Sequence, residues 1–419
     1  MTAGPGPLEQ ALWEHVREAR WFSGRSRGGL LTGLEFTDWF QPPVGRAPGL
    51  RSAILHIAFP GVTTERFHMP LACYLSDVTP SPALAQVMWE GTEFTVLEAT
   101  GDETALALLL KCLRHEAPGF ERMREVPSGL TGRRYEGEQT NTSIFYRDAS
   151  RQDRLVGKIF RRLEDGTNPD VELHRVLAGS GAVADTYGVW SWRGAELGIF
   201  LNALPEPHDG YVAACQAARA GQSFAEHAYA LGRQLAVVHR LLADRLPTVT
   251  LPGGIVAETF RRSLDAAIAE VPSLEAHRAP ILGHYAEIEQ LRVPAQRIHG
   301  DCHLGQALLT SDGWRYVDFE GEPLKSLAER RAPDSRWRDV AGMLRSLHYA
   351  ASEGGSPQGW LAEARTALLE GYGPADDSAV ALREAYETSK AVYEAVYESR
   401  MRPHLLQVPL EFLAAHDKQ

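Results

Sequence analysis

The sequence predicts an α+β fold built in more than one compact piece, and three observations lead there. At 419 residues the chain exceeds what one hydrophobic core ordinarily supports. Its first half alternates apolar and polar residues in short bursts, as at 52–59, 144–146 and 155–160. From Asp209 onward apolar residues recur at helical spacing instead, as in Leu231, Leu235, Val238 and Leu242. The composition, 44% hydrophobic and 23% charged, is that of a folded globular protein. A net charge of −11 argues against a nucleic-acid binder, which shows a basic face. Four cysteines, at 73, 112, 215 and 302, lack metal-ligand or redox spacing and read as reduced thiols. The opening MTAGPGPLEQ has no basic run followed by an apolar one, and no stretch of about 18 apolar residues occurs. The expectation is a cytoplasmic protein with no membrane partner.

Taken in order, residues 9–20 place Leu12, Val16 and Ala19 on one side of a helix. The segment from Trp21 to Arg27 reads as a packed aromatic corner. Strand material follows at 52–59, 74–76 and 95–98, and the Ala- and Leu-rich stretch 104–114 reads as a helix. These make a small α+β unit over 1–125. A second unit, 126–204, holds two apolar strands around a polar loop, then Asn168-Pro169, a helix-starting pair, then a closing hairpin. The prolines between Leu204 and Asp209 mark entry into a third, mostly helical unit, 205–419. Within it, helices are expected near 257–270, 279–291 and 379–401. His239 reads as a structural histidine.

The chemistry concentrates in residues 297–323, RIHGDCHLGQALLTSDGWRYVDFEGEP. Asp301 lies in a loop, Gln306 follows five residues later, and Asp318 ends a short strand after a Ser311-Asp312-Gly313 turn. Phosphoryl transfer to a hydroxyl needs such a set: one carboxylate to accept the hydroxyl proton, and a side-chain oxygen with a second carboxylate to hold Mg²⁺. Asp301 is the expected base, and Gln306 and Asp318 the expected metal ligands. Cys302, beside the base, carries no mark of a nucleophile.

The spacing resembles the catalytic and metal-binding loops of protein-kinase-like folds in the form used by aminoglycoside phosphotransferases. Gln in place of the usual Asn at 306, and Asp318-Phe319-Glu320 in place of Asp-Phe-Gly, are similar to the actinobacterial maltokinase-like family, which includes glucosamine kinases. Leu327 to Arg331 and Asp339 to Ser346 extend that resemblance. It implies a bilobal kinase-like fold behind an N-terminal α+β cap, with ATP and Mg²⁺ as cofactors. It also implies that Lys158 contacts phosphates and pairs with Glu172, and that Gln139, Thr140, Asn141, Thr142 and Ser143 form the phosphate loop. By position alone, Phe200 and Asn202 fall at the adenine hinge, and His299 braces the catalytic loop.

For the acceptor, His303, Asp339, Tyr393, Glu394, Tyr397, Glu398 and Glu411 are the candidates: aromatics stack on sugar faces, and carboxylates bind hydroxyls or an ammonium. Asp339 has a second reading as a helix-starting acid, and the tyrosines one as core. Arg402-Pro403 is followed by His404 and Leu405 where maltokinases commonly carry an aromatic, which favours a smaller acceptor. The reading is a kinase that makes glucosamine 6-phosphate. Its alternatives are a maltokinase, an aminoglycoside phosphotransferase and a non-catalytic nucleotide-binding pseudokinase. The expected partners are a small sugar and ATP, with the chain a monomer or weak homodimer.

Overall fold

A computed structural model of the chain describes residues 6–22, 24–61, 64–75, 82–89, 91–137, 140–322, 325–355 and 359–416. They divide into two compact units: Met1–Glu172 with Ala184–Leu204, and Leu173–Val183 with Pro205–Gln419.

The first unit opens with helix α1 (Pro7–Glu18), whose Leu8, Leu12 and Val16 form one buried stripe. Strands β1 (Leu30–Phe36), β2 (Gly49–Ala58), β3 (Glu65–Leu75), β4 (Ala85–Trp89) and β5 (Thr92–Glu98) follow. They make an antiparallel sheet in the order β1-β2-β3-β5-β4. The two-residue period of a strand sorts their side chains. Ala53, Leu55 and Ile57 of β2 pack into a core that α1 covers, while Leu50 and Ile54 enter a second core with helix α2 (Glu103–Arg114). Phe22 sits in the first core, its ring 5.1 Å from Phe67 and 5.8 Å from Trp13, so the segment after α1 is a packed aromatic corner as expected.

Next come β6 (Phe120–Arg122), β7 (Thr131–Arg134), β8 (Thr142–Arg147), β9 (Asp153–Ile159), β10 (Arg162–Leu163), α3 (Pro169–Leu177), β11 (Thr186–Trp192) and β12 (Ala195–Asn202). All these strands but β10 form a second antiparallel sheet, ordered β6-β11-β12-β9-β8-β7. β10 instead pairs with β3 of the first sheet. Tyr146, Trp190 and Phe200 from the second sheet share a core with Leu50, Ile54 and the leucines of α2, so both sheets belong to one hydrophobic body.

The second unit is mainly helical, as the spacing after Asp209 predicts. It comprises β13 (His208–Asp209), α4 (Gly210–Ala220), α5 (Ala225–Arg245), β14 (Val249–Pro252), α6 (Gly253–Glu270), α7 (Arg278–Glu287) and β15 (Arg292–Ala295). Then follow β16 (Ala307–Thr310), β17 (Gly313–Tyr316), α8 (Leu327–Arg331), α9 (Trp337–Gly354), α10 (Trp360–Tyr372), α11 (Asp377–Met401) and α12 (Gln407–His416). The stripe Leu231, Leu235, Val238 and Leu242 of α5 is wholly buried in this unit's core. β16 and β17 form the hairpin that the Ser311-Asp312-Gly313 turn implies. Thr310 Oγ1 donates to the Gly313 carbonyl at 2.7 Å, and Gly313 takes φ +101°, a conformation that only glycine adopts without strain. Among the described residues, no helix is long and apolar enough to cross a membrane.

Candidate active site

In the second unit the loop bearing Asp301 is fixed from below by helix α9. Asp339, in that helix's first turn, is 1% exposed. One of its oxygens accepts the His299 N–H at 2.7 Å and the other accepts the Gly300 N–H at 2.9 Å. His239 Nε2 lies 2.9 Å from the first oxygen, and His239 Nδ1 lies 2.8 Å from the Tyr372 hydroxyl. Burial works to raise the Asp339 pKa, but the hydrogen bonds from His239 and Gly300 hold the carboxyl below its ordinary range. These contacts correct the reading of Asp339 as a sugar ligand. Both of its oxygens are spent on the loop backbone, so it is a brace. His239 is the structural histidine expected, and it completes that brace.

Two glycines show how tightly the loop is seated. Gly300 takes φ +84°, which a side chain would strain. Gly342, on α9, lies so close to the Cys302 carbonyl that an added Cβ would overlap it. Leu304 N–H donates to Ser346 Oγ at 3.1 Å, a second tie to the same helix. His299 Nε2 lies 3.0 Å from the Val317 carbonyl, and its ring packs 4.5 Å from Phe319, so it braces the loop. Burial pushes the Cys302 thiol well up, helped by the Asp339 and Asp301 carboxylates, which leaves it inert.

His303 Nδ1 accepts the Gly305 N–H at 3.1 Å and so caps the turn Leu304–Gln306. Burial lowers its pKa. That turn delivers Gln306 to Asp318: the amide Nε2 donates to Asp318 Oδ2 at 3.3 Å. Asp318 holds φ +63°, a left-handed conformation that is uncommon outside glycine and concentrates at functional sites. An amide and a carboxylate brought together offer hard oxygen ligands, the donor set that suits Mg²⁺.

In the first unit, Lys158 sits on β9 with its Nζ 2.8 Å from Asp170 Oδ2. The side chains are 16% and 1% exposed, so each charge needs the other. Asp170 also occupies the first turn of α3, where the helix dipole favours an anion. The sequence reading looked to Glu172 for this partner. Asp170, two residues earlier on α3, is a carboxylate that meets the lysine. Asn168 Oδ1 accepts the Asp170 N–H at 2.8 Å, so it caps α3 as expected.

Of the expected phosphate loop, Gln139 lies outside the described residues. Thr140 is exposed, and Ser143 stands opposite Lys158 in the β8–β9 register. Asn141 and Thr142 both bind Arg161: its N–H donates to Asn141 Oδ1 at 3.2 Å and its Nε to Thr142 Oγ1 at 2.8 Å. The hinge positions need correction. Phe200 is fully buried, in an interior strand paired with β11 and β9. The Asn202 N–H goes to the Asp185 carbonyl at 2.7 Å, and the next N–H, of Ala203, goes to Arg154. The sheet has used the donors that a nucleotide base would need there.

Two more acceptor candidates are also spent. Glu394 accepts from buried Arg345 Nε at 2.8 Å; burial nonetheless raises its pKa. Glu398 is 1% exposed and takes Arg402 Nη2 at 2.6 Å and the Tyr349 hydroxyl at 3.1 Å. Glu411 is exposed on α12. Tyr393 and Tyr397 are not core: they are 45% and 41% exposed, with rings stacked 6.4 Å apart and 22° from parallel.

A cleft of about 490 Å³ opens in this unit beside Tyr393, lined also by Phe260, Glu322, Lys325, Asp334, Arg338, Tyr386 and Lys390. Glu322, four residues after Asp318, meets Arg338 at 2.6 Å, Lys325 at 3.2 Å and Lys390 at 3.8 Å. Burial works to raise its pKa, but the three cations hold it below the ordinary value. Burial, with the Glu322 and Asp301 carboxylates, raises the pKa of the Tyr393 hydroxyl. Sequence reasoning missed Glu322 and Lys390. Lys390 stands three residues before Tyr393 on α11, so helical spacing was the signal available for it.

No protein-family model matches the chain. The chain is similar to the curated glucosamine kinase of Streptacidiphilus jiangxiensis, 32% identical over 207 residues, covering 43% of this chain and 46% of that protein. It is also similar to the glucosamine kinase of Mycolicibacterium smegmatis, 26% identical over 241 residues, covering 51% and 58%. The matched stretch thus spans about half the length of these relatives. Solved structures match over more of the chain. A glucosamine kinase in complex with glucosamine, ADP and inorganic phosphate is 21% identical, with a TM-score of 0.70 over 96% of this chain and 98% of that one. A glucosamine kinase in crystal form B is 20% identical, with a TM-score of 0.67 over 97% and 99%. The chain therefore has the fold of the solved glucosamine kinases along nearly its whole length, and part of it is similar in sequence to the curated ones.

Proposed function

We propose that this chain is an ATP- and Mg²⁺-dependent sugar kinase whose acceptor is D-glucosamine, phosphorylated at its 6-hydroxyl. The observation that carries the reading is the seating of Asp301 on a loop bolted to α9 by Asp339, with Gln306 and Asp318 brought together by the turn and hairpin that follow. In this account Asp301 orients the sugar hydroxyl and accepts its proton as the new oxygen–phosphorus bond forms and the bond to the leaving ADP breaks. Gln306 and Asp318 are the residues that would hold Mg²⁺, which would supply charge neutralisation at the phosphates. Lys158, kept in place by Asp170, steadies the phosphates. The cleft beside Tyr393 takes the sugar, and Glu322 supplies the carboxylate for the ammonium, displacing one of its lysines. The protein acts in the cytoplasm as a monomer or weak homodimer, without nucleic-acid or membrane partners.

One observation favours maltose as a second reading: the exposed Tyr393–Tyr397 stack offers a platform for another sugar ring. ATP consumption with Mg²⁺ over glucosamine, maltose, glucose, N-acetylglucosamine and kanamycin decides between them. Turnover with glucosamine and not maltose is the expected result. Maltose as the sole acceptor would replace the first reading with the second, and nucleotide binding without any transfer would leave a pseudokinase.

A further inference from the structure

The chain crosses from the second sheet to the first within two residues, Phe160 and Arg161. β9 ends at Ile159, β10 joins the first sheet at Arg162, and Arg161 lies between them, 1% exposed. A guanidinium carries five N–H donors that must all be satisfied when it leaves water. Here Nη2 reaches Glu98 Oε1 at 2.5 Å and Thr100 Oγ1 at 3.2 Å, and Nη1 lies 3.4 Å from the His68 carbonyl. All three partners come from the first sheet or the turn after it. Nε goes to Thr142 Oγ1, the fourth hydrogen bond of the guanidinium, and the Arg161 main-chain N–H goes to Asn141 Oδ1. The plane of the guanidinium lies 4.6 Å from the centre of the Trp21 ring.

One side chain thus joins two places with different work. Glu98 ends the first sheet and Thr100 lies in the turn after it, far in sequence from any proposed catalytic group. Asn141 and Thr142 end the loop that leads into β8, directly across from the strand bearing Lys158. Thr100 Oγ1 also donates to Glu98 Oε1, and Arg134 Nη1 takes the other Glu98 oxygen at 3.0 Å, so Glu98 has no freedom to swing away. A rigid planar fork transmits position because its donors cannot move independently.

We infer that Glu98 and Thr100 are positioning residues for the nucleotide: through Arg161 they hold Asn141 and Thr142 in the conformation that receives the phosphates. The first sheet is then a working part of the nucleotide site, acting through Arg161. This rests on the proposed nucleotide role of the 140–143 loop, so the test separates the two claims.

The test uses the full chain and calorimetric titration with Mg²⁺–ATP, alongside steady-state kinetics. Glu98→Gln keeps the shape and removes the charge. Thr100→Val keeps the shape and removes the hydroxyl, and serves if the first variant fails to fold. Val96→Ala, in the wholly buried core of β5, is the control that destabilises the same sheet without touching the network. The expected result is that Glu98→Gln or Thr100→Val weakens ATP binding about tenfold and raises the KM for ATP to match. The KM for the acceptor at saturating ATP stays unchanged, and Val96→Ala keeps wild-type ATP affinity despite a lower melting temperature. Unchanged ATP affinity in the network variants, or equal weakening in Val96→Ala, overturns this inference and leaves the kinase reading standing. Wild-type protein that binds no ATP overturns both.

Discussion

Gly342→Ala tests whether helix α9 sets the position of the catalytic loop. The added Cβ would lie far inside the 3.0 Å limit below which such contacts essentially never occur, and the atom it meets is the Cys302 carbonyl oxygen, one residue after Asp301. Neither partner is a flexible side-chain end, so loop and helix must part by about 1 Å, a displacement able to cost about a hundredfold in rate. Overpacking of this kind also costs about 1–3 kcal/mol of stability. Gly188→Ala is the matched control. Its Cβ would overlap the Glu121 carbonyl where β11 meets β6, at a similar depth of overlap, in the unit that does not hold Asp301. Both variants should melt several degrees lower, at about 2–4 °C per kcal/mol for a unit of this size. Only Gly342→Ala should lose kcat, by about ten- to a hundredfold, when both are assayed at a temperature where they remain folded. Equal kcat values for the two variants would refute the claim that α9 positions the loop.

Other expectations follow from the acceptor cleft and from the buried ionisable groups. Glu322→Gln should raise the KM for glucosamine by about tenfold, the worth of one charged contact, while leaving glucose almost unaffected. An equal effect on both sugars, measured in the same coupled assay, would remove Glu322 from ammonium recognition. Stability should fall in acid in two stages. Burial, with the Arg161 charge beside it, pushes His68 from 6.5 to about 3. A depressed folded value means that the unfolded chain binds the extra proton, so stability present above 6.5 is lost as pH falls towards about 3. Glu98 and Glu322, both held below 4.5, and Asp339, held below 3.8, add to the loss at the acid end; Glu394, raised by burial, opposes them. Urea midpoints measured from about pH 7 to about pH 3 should decline throughout, and a flat profile would contradict the burial of His68 as a neutral ring.

What the sequence disclosed about the site depended on how local each arrangement is. Gln306 and Asp318 are twelve residues apart, and the turn and hairpin that bring them together are written between them. His299 and Asp301 share that stretch. Asp339 was ambiguous because its partner His239 lies a hundred residues away and nothing in the local pattern reports the pairing. Glu394 looked like a sugar ligand for the same reason, since the arginine it meets sits on a different helix, whereas Glu398 meets Arg402 only four residues on, a pairing that helical spacing offered. Glu172 and Asp170 both fit a helix start, and nothing in the local pattern marks Asp170 as a carboxylate that meets Lys158. The hinge positions failed because backbone hydrogen bonding leaves no side-chain signature. The fold was more legible: α1 lies close to where apolar spacing places a helix, α2 where Ala and Leu concentrate and α11 close to the expected 379–401, whereas short strands such as β4 and β14 have too few residues to show a period.

The measurement that bears most directly on the central claim is transfer of labelled phosphate from ATP to glucosamine by wild-type protein and by Asp301→Asn. Asp301 is half-buried and the substitution is isosteric, so the variant should keep the wild-type melting temperature and ATP affinity. The account predicts labelled sugar phosphate with wild-type protein and a loss of at least about a thousandfold in turnover with Asp301→Asn. Transfer by the variant at near the wild-type rate would contradict it.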